Sequence, residues 1–400
     1  MNRALKALLT AQALSIFGSA IAAIAIPWLL LEGQVSPLQM SWIFMAQSGA
    51  ALLAALIGTS LMNKFDRRDL YVGCDVFLAA ASACLIAMIA ADWLNPVVIA
   101  IVLASVAVIS AFSEAAGLAI VPALLPGSSV SPHRVNGMIG SFHNFGDLAG
   151  PAIGGWVVAL LGCAGALALD AASFVLSAVL FMLFVPRLGL PTAGQAHRAP
   201  NSWTDQWSGV RAIAASRLWR SVTVVSAVVN MVATPLLVLL LPVIVKGEGG
   251  SAQGLGSLLS CFGAGTLLSS VLFSALRVAP RPWLGLMGSL LLAASALLAL
   301  PWLTGLGMYA SMLALGLAIG YLGPLEQTLM QVHADPQNTG SILLAYSALR
   351  TLLVPIGFFA VGLAVTHFGI DAACWMLGSA LFVTLASLLL SSVKRPIESV

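Results

Sequence analysis

The chain has 400 residues, of which 60% are apolar and only 8% are Asp, Glu, Lys or Arg, and its mean hydropathy is +1.03. Ordinary soluble domains carry about 25% charge, so a water-facing surface cannot be assembled from this composition. The net charge of +3 comes without a basic stripe or interleaved aromatics, which argues against a nucleic-acid partner.

Apolar runs of twenty or so residues recur along the whole chain. Each is long enough to cross a hydrocarbon core about 30 Å thick as a helix. Tolerating Gly and Pro inside spans, the pattern predicts helices over 9–31, 40–62, 70–91, 96–122, 137–160 and 164–186. Six more are predicted over 219–244, 253–276, 283–301, 305–328, 341–364 and 370–391. The first run follows Arg3 and Lys6 and continues through Pro27 and Trp28 to Leu31, which is span length and reads as a helix, not a cleaved signal.

Basic residues set the orientation. With the N-terminus inside, Arg3, Lys6, Lys64, Arg67, Arg68, Arg134, Arg187, Arg198, Arg211 and Arg217 fall on the cytoplasmic side, as do Arg220, Arg277, Arg281, Lys394 and Arg395. Lys246 falls outside, Arg350 lies within a span, and both termini are expected in the cytoplasm. The five cysteines lack paired spacing, which suggests neither a disulfide framework nor a zinc site.

One long polar stretch, residues 187–218, divides the spans into six and six. It predicts an N-terminal bundle over 1–186, a cytoplasmic linker, and a C-terminal bundle over 219–400. From Trp203 to Leu218 the linker has apolar residues at helical spacing, fitting either a helix on the membrane surface or a solvated loop helix. Gly137 and Pro151 in the fifth span are echoed by Gly340 and Pro355 in the eleventh. Repeated halves of this type are an architecture of secondary transporters.

Two motifs carry a family resemblance. Asn63, Lys64, Asp66, Arg67 and Arg68, between spans 2 and 3, resemble the cytoplasmic loop signature of the major facilitator superfamily, with Asn63 where the family normally has Asp. In that family the Asp latches the outward-facing state. Asn63 can cap a helix but brings no charge, which implies a weaker or differently built latch. In span 5, Gly137, Gly146, Gly150-Pro151 and Gly154-Gly155 occupy every fixed position of the motif associated with major facilitator antiporters. A Gly face lets helices approach closely, and Pro151 removes a backbone hydrogen bond.

With Phe112 to Gly117, Leu169 to Phe174 and Trp207 to Arg211, the resemblance runs almost end to end and is closest to the macrolide-efflux and enterobactin-exporter branch. It implies an all-α membrane protein with twelve transmembrane helices in two six-helix bundles around a central cavity. It further implies export of a small amphipathic compound (drug, macrolide or siderophore) by alternating access, with a proton gradient as energy source and no cofactor. A functional monomer in the bacterial inner membrane is expected. Import of a small solute, and movement of lysolipids, are the alternatives. No phosphate-binding loop, nucleophile elbow or zinc-protease motif points to an enzyme.

Ionisable groups inside spans are costly and mark function by default. Asp147, ten residues into span 5 and flanked by Gly146 and Gly150, is the first choice for proton coupling, with Arg350 as a possible partner from span 11. Glu114 in span 4 is a candidate for proton or cationic-substrate binding, and Asn230 and His143 rank below. Asp75 and Asp170 are read as structural groups near span ends, able to snorkel to water, and Glu326 is expected to reach the cytoplasmic interface. For an adaptable cavity wall the expectation is Phe17, Trp28, Trp42, Met45 and Met231.

Overall fold

The computed structural model of the protein describes residues 3–61, 66–125, 131–187, 203–275, 282–333 and 339–390, and these contain helices and no strand. The first five helices are α1 (Arg3–Glu32), α2 (Pro37–Leu61), α3 (Arg67–Ala90), α4 (Pro96–Leu124) and α5 (Pro132–Phe184). They are followed by α6 (Trp203–Ala215), α7 (Arg217–Pro235), α8 (Leu241–Gly247), α9 (Ala252–Ala275) and α10 (Pro282–Ala299). The last four are α11 (Leu306–His333), α12 (Thr339–Thr351), α13 (Val354–Phe368) and α14 (Ile370–Leu389).

Side chains set several of the starts. Asp66 accepts from the Arg68 amide at 2.9 Å and opens α3, while Asn95 accepts from the Val97 amide at 2.9 Å and opens α4 with Pro96 at its first position. Ser131 and Ser216 cap α5 and α7 in the same way. Among the described residues, ten helical segments are long and apolar enough to cross a membrane. One of them, Gly137–Phe184, has 48 residues, roughly 72 Å of helix at 1.5 Å per residue, enough for two crossings. It folds back at Gly162, whose φ of 69° suits glycine and strains other residues. With α2, which has 25 residues, the described residues hold twelve helical segments of crossing length. Lipid is the natural cover for side chains such as Leu160, Leu183 and Leu272, which stand 74%, 69% and 58% exposed.

Two predicted spans are not continuous. The span expected over 219–244 passes through a π-turn at Leu236–Leu240, directly after Pro235, and the one over 341–364 breaks between α12 and α13, just before Pro355. Proline lacks the amide that would close the preceding turn, so each break sits where the backbone ladder is already missing a bond.

The chain forms two compact units: Met1–Ala199 with Val245–Ser257, and Pro200–Ile244 with Leu258–Val400. In the first, α5 packs along α1 and α3, and α2 along α4. Its core includes Leu5, Leu8, Tyr71, Ile120 and Phe181, with Tyr71 stacked on Phe181 at 3.9 Å between ring centroids. In the second, α10 packs on α11 and α14, α7 on α13, and α6 on α12.

Close backbone approach recurs in the second unit. A side chain at Gly316 or Gly320 of α11 would meet the Phe262 or Thr266 carbonyl of α9. Pro324 leaves the Gly320 carbonyl without its helical partner, and the Ser270 hydroxyl donates to that oxygen at 3.0 Å. Ser270→Ala is expected to cost about 1 kcal/mol, read as a lowered unfolding midpoint in detergent. An unchanged midpoint would mean that the carbonyl is satisfied otherwise.

Candidate functional site

A cavity of about 320 Å³ lies within the first unit. α1 contributes Gln12, Ser15, Ile16 and Ser19; α3 contributes Tyr71 and Leu78; α4 contributes Ser110, Ser113 and Glu114; and α5 contributes His143, Gly146, Asp147 and Phe174. His143, Asp147 and Gly150 are one turn apart on α5, so helical periodicity puts them on one side. Three of the sequence-predicted residues, Glu114, His143 and Asp147, therefore line one space. Their side chains are exposed, so Asp147 is not the buried carboxylate its depth in the span suggests.

The α5 glycines make this wall thin. A Cβ at Gly146 would lie 3.0 Å from Ile16 Cγ2, one at Gly150 would collide with Ala20, and one at Gly154 would lie 3.1 Å from Ile24 Cγ1. These partners recur every fourth residue along α1, a small-residue seam of the kind that lets membrane helices touch. Gly155 faces elsewhere, against Ala252, Gln253 and Gly256 at the start of α9, and Gly137 has open space. Pro151 removes the amide that would have bonded the Asp147 carbonyl.

A second cavity of about 240 Å³ shares Ser19, Ala23, Leu78, Ser110 and Phe174 with the first and adds Gln47, Ser82 and Asp170. Asp170 fits the structural reading and does not snorkel: it is 5% exposed, accepts from Ser82 Oγ at 2.7 Å, and has its other oxygen buried with no hydrogen-bond partner among the described residues. Asp75 fits the structural reading in the same way. It is wholly buried and accepts from Ser177 Oγ at 2.5 Å and from Ser113 Oγ at 3.3 Å. Glu326 is also inside its unit, at 7% exposure, and does not reach an interface. Depth along a span cannot tell which face of a helix packs inward, and here packing turned all three carboxylates in. The sequence signal was the set of serines at matching depth, Ser82, Ser113 and Ser177.

Other predicted residues have different surroundings. Trp28 is buried, donates to Glu32 Oε1 at 2.9 Å, and carries Lys246 Nζ at 4.9 Å from its ring centre. Phe17 packs edge-on to Phe145 at 5.6 Å. Trp42, Met45 and Met231 are half-buried, and none of these five residues lines either cavity of the first unit. Asn230 spends an amide hydrogen on the Ser226 carbonyl of its own helix, at 2.8 Å. Arg350 is half-buried in the second unit and acts electrostatically on Glu326 and Tyr346.

The loop motif is described in part, since Asn63 and Lys64 lie outside the described residues, as does the linker over 188–202. Arg67 Nη1 donates to the Ala119 carbonyl at 2.8 Å, and Arg68 Nη2 to that of Met182 at 2.5 Å. Asp69 pairs with Arg187 at 3.1 Å. These guanidinium groups tie the start of α3 to the C-terminal parts of α4 and α5, the ends at which the helix dipole favours cations. Arg68→Ala is expected to lower the unfolding midpoint more than Arg68→Lys, because a lysine retains the charge; equal losses would exclude a charge effect.

A membrane-embedded all-helical fold with an internal, carboxylate-bearing cavity defines a transporter class. A family model described as Major Facilitator Superfamily matches residues 8–358, and the chain belongs to that superfamily. It is similar to the multidrug efflux pump Tap of Mycobacterium tuberculosis (strain ATCC 25618 / H37Rv), at 24% identity over 89% of this chain and 85% of that protein. The Tap pump of Mycolicibacterium fortuitum is also 24% identical, over 86% of this chain and 85% of that protein. Among solved structures, a peptide transporter POT in complex with sulfate aligns with a TM-score of 0.75 at 14% identity, covering 100% of this chain and 96% of that one. The nucleoside transporter NupG aligns at 0.73 and 14%, covering 98% and 99%. The chain is thus a multi-pass membrane transporter and not an enzyme.

Proposed function

We propose that this protein is a proton-coupled exporter of small amphipathic compounds, working by alternating access in the bacterial inner membrane with both termini cytoplasmic. The observation that carries the reading is the 320 Å³ cavity, where Glu114, His143 and Asp147 share one space with Ile16, Leu78 and Phe174. A wall that mixes Ile16, Leu78 and Phe174 with hydroxyl, amide and ionisable groups suits an amphipathic ligand, and intramembrane carboxylates suit exchange of a proton. Export is favoured over uptake by the complete antiporter motif in α5 and by the likeness to efflux pumps. The orientation rests on the basic residues of the loops. The working unit proposed is a monomer of two six-helix bundles, over 1–186 and 219–400, joined by the 187–218 linker.

The test is substrate movement in proteoliposomes under an imposed pH gradient, with a panel of lipophilic cations, macrolides and siderophores. Gradient-dependent movement of a panel member toward the outward-equivalent side is expected. Folded, correctly oriented protein that moves none of them would overturn the reading, and labelled lysolipids and nutrient solutes would then test the alternatives.

A further inference from the structure

We infer that the second cavity of the first unit is the inner end of the ligand site, a chamber that takes the apolar, ring-bearing body of an elongated amphipath whose cationic head stays beside Glu114 and Asp147. This assignment rests on the first cavity being the substrate site proposed above. The two cavities lie end to end. Along α1 the first is lined from Gln12 to Ala23 and the second from Ser19 to Ile26, so together they follow the helix from residue 12 to residue 26, roughly 21 Å at 1.5 Å per residue. The order repeats on α3, from Tyr71 through Leu78 to Leu85, and in reverse on α4, from Glu114 through Ser110 to Leu103.

The chemistry changes along that line. The first cavity carries Glu114 and Asp147 with no Lys or Arg among its lining residues, so a cation suits that end by charge. Of the polar residues around the second, Ser19 and Ser110 line both cavities and mark the junction. Ser82 and Asp170 satisfy each other at 2.7 Å, and the remaining Asp170 oxygen is buried against Gly18, where an added Cβ would stand 3.2 Å from it. Beyond the junction the wall is made by Ala22, Ile26, Leu85, Leu103, Val106 and Leu167, and Gln47 is the remaining polar group among the lining residues.

Size points to a guest. Protein interiors pack like organic crystals, with few voids larger than a water, and an apolar cavity of about 150 Å³ stays dry and takes a benzene. The chamber, at about 240 Å³, is larger by more than half, which leaves room for a ring and several methylenes. Phe174 lines both cavities, so a ring entering from the first passes an aromatic side chain. Val106, half-buried on α4, packs against the cluster of Leu78, Ala79 and Phe174. A larger side chain at this position therefore takes space from the chamber, while Glu114 lies eight residues further along the same helix, at the other end of the line.

The experiment is calorimetric titration of the full chain in nanodiscs with benzylammonium and with 6-phenylhexylammonium, corrected against empty nanodiscs, for wild type and Val106→Phe. Wild type is expected to bind the longer amine at least about tenfold more tightly, because each methylene taken into an apolar site adds about fourfold. In Val106→Phe that advantage is expected to disappear. An unchanged advantage in the folded variant would overturn the chamber as a subsite, and so would a wild type that binds both amines alike, which leaves the first cavity standing as a head-group site. Binding of neither amine, with gradient-driven movement of the transport panel intact, would overturn the chamber alone; neither binding nor movement would overturn it together with the proposed function. Should Val106→Phe fail to fold, Ile26→Phe fills the same chamber from α1 and carries the same comparison.

Discussion

Asp147→Asn protein is expected to insert and fold like the parent and to lose substrate movement driven by a pH gradient entirely. Asparagine has nearly the same shape and can still hydrogen-bond, but it cannot take up or release a proton in the working range, so the substitution removes titration and little else. The position makes a purely structural loss implausible, because the side chain is exposed to the cavity and packs no core. Its backbone is also distinctive, since Pro151 leaves the Asp147 carbonyl unpaired and the turn that carries the carboxylate lacks one restraint. The measurement is flux in proteoliposomes beside an exchange assay without a gradient. Loss of the first with retention of the second is the expected pattern. Full gradient-driven flux in a well-expressed variant would remove Asp147 from coupling and move attention to Glu114, which lines the same space from α4.

The convergence of Glu114, His143 and Asp147 shows what was legible in the sequence. Period alone puts 143, 147, 150 and 154 along one side of α5, and the glycines indicate that another helix must lie close to that side. Span positions were legible too, from the recurring apolar runs, and the structure adds the chemistry of their starts, where Asp66, Asn95, Ser131 and Ser216 each precede a helix as a cap. What could not be read is the direction in which a carboxylate points. Asp75, Asp170 and Glu326 sit where a span end permits snorkelling, yet serine and tyrosine partners from other helices, 38 to 102 residues away for the first two, hold them inside. Those partners are brought in by tertiary packing: the serines at matching depth are visible in the sequence, but which helix faces which is not. The same holds for Pro235 and Pro355. Their lost hydrogen bonds are visible in the sequence, but whether a π-turn or a full break results depends on neighbouring helices.

The second large effect is expected at Gly150. A methyl group there would occupy the position of Ala20 Cβ on α1, a short side chain on a helix backbone that cannot swing aside. Gly150→Val should therefore force α5 away from α1, and since Gly146 and Gly154 meet α1 at Ile16 and Ile24, one turn to either side, the whole seam must open. Overpacking of this kind costs about 1–3 kcal/mol where a core can adjust. The expected result is a clearly lowered unfolding midpoint and loss of transport, since α5 forms a wall of the cavity. Ala20→Gly removes the colliding atom, and the double variant should recover a good part of the midpoint, a coupling of the size double-mutant cycles find for residues in contact. Gly150→Val with parental stability would mean that the seam is not a close contact in the membrane. Recovery of stability without recovery of transport would be more informative: the glycine would then be needed for the movement of α5 past α1, beyond its fit against it. Gly137, which faces open space, is the internal control, and Gly137→Ala should leave the midpoint unchanged.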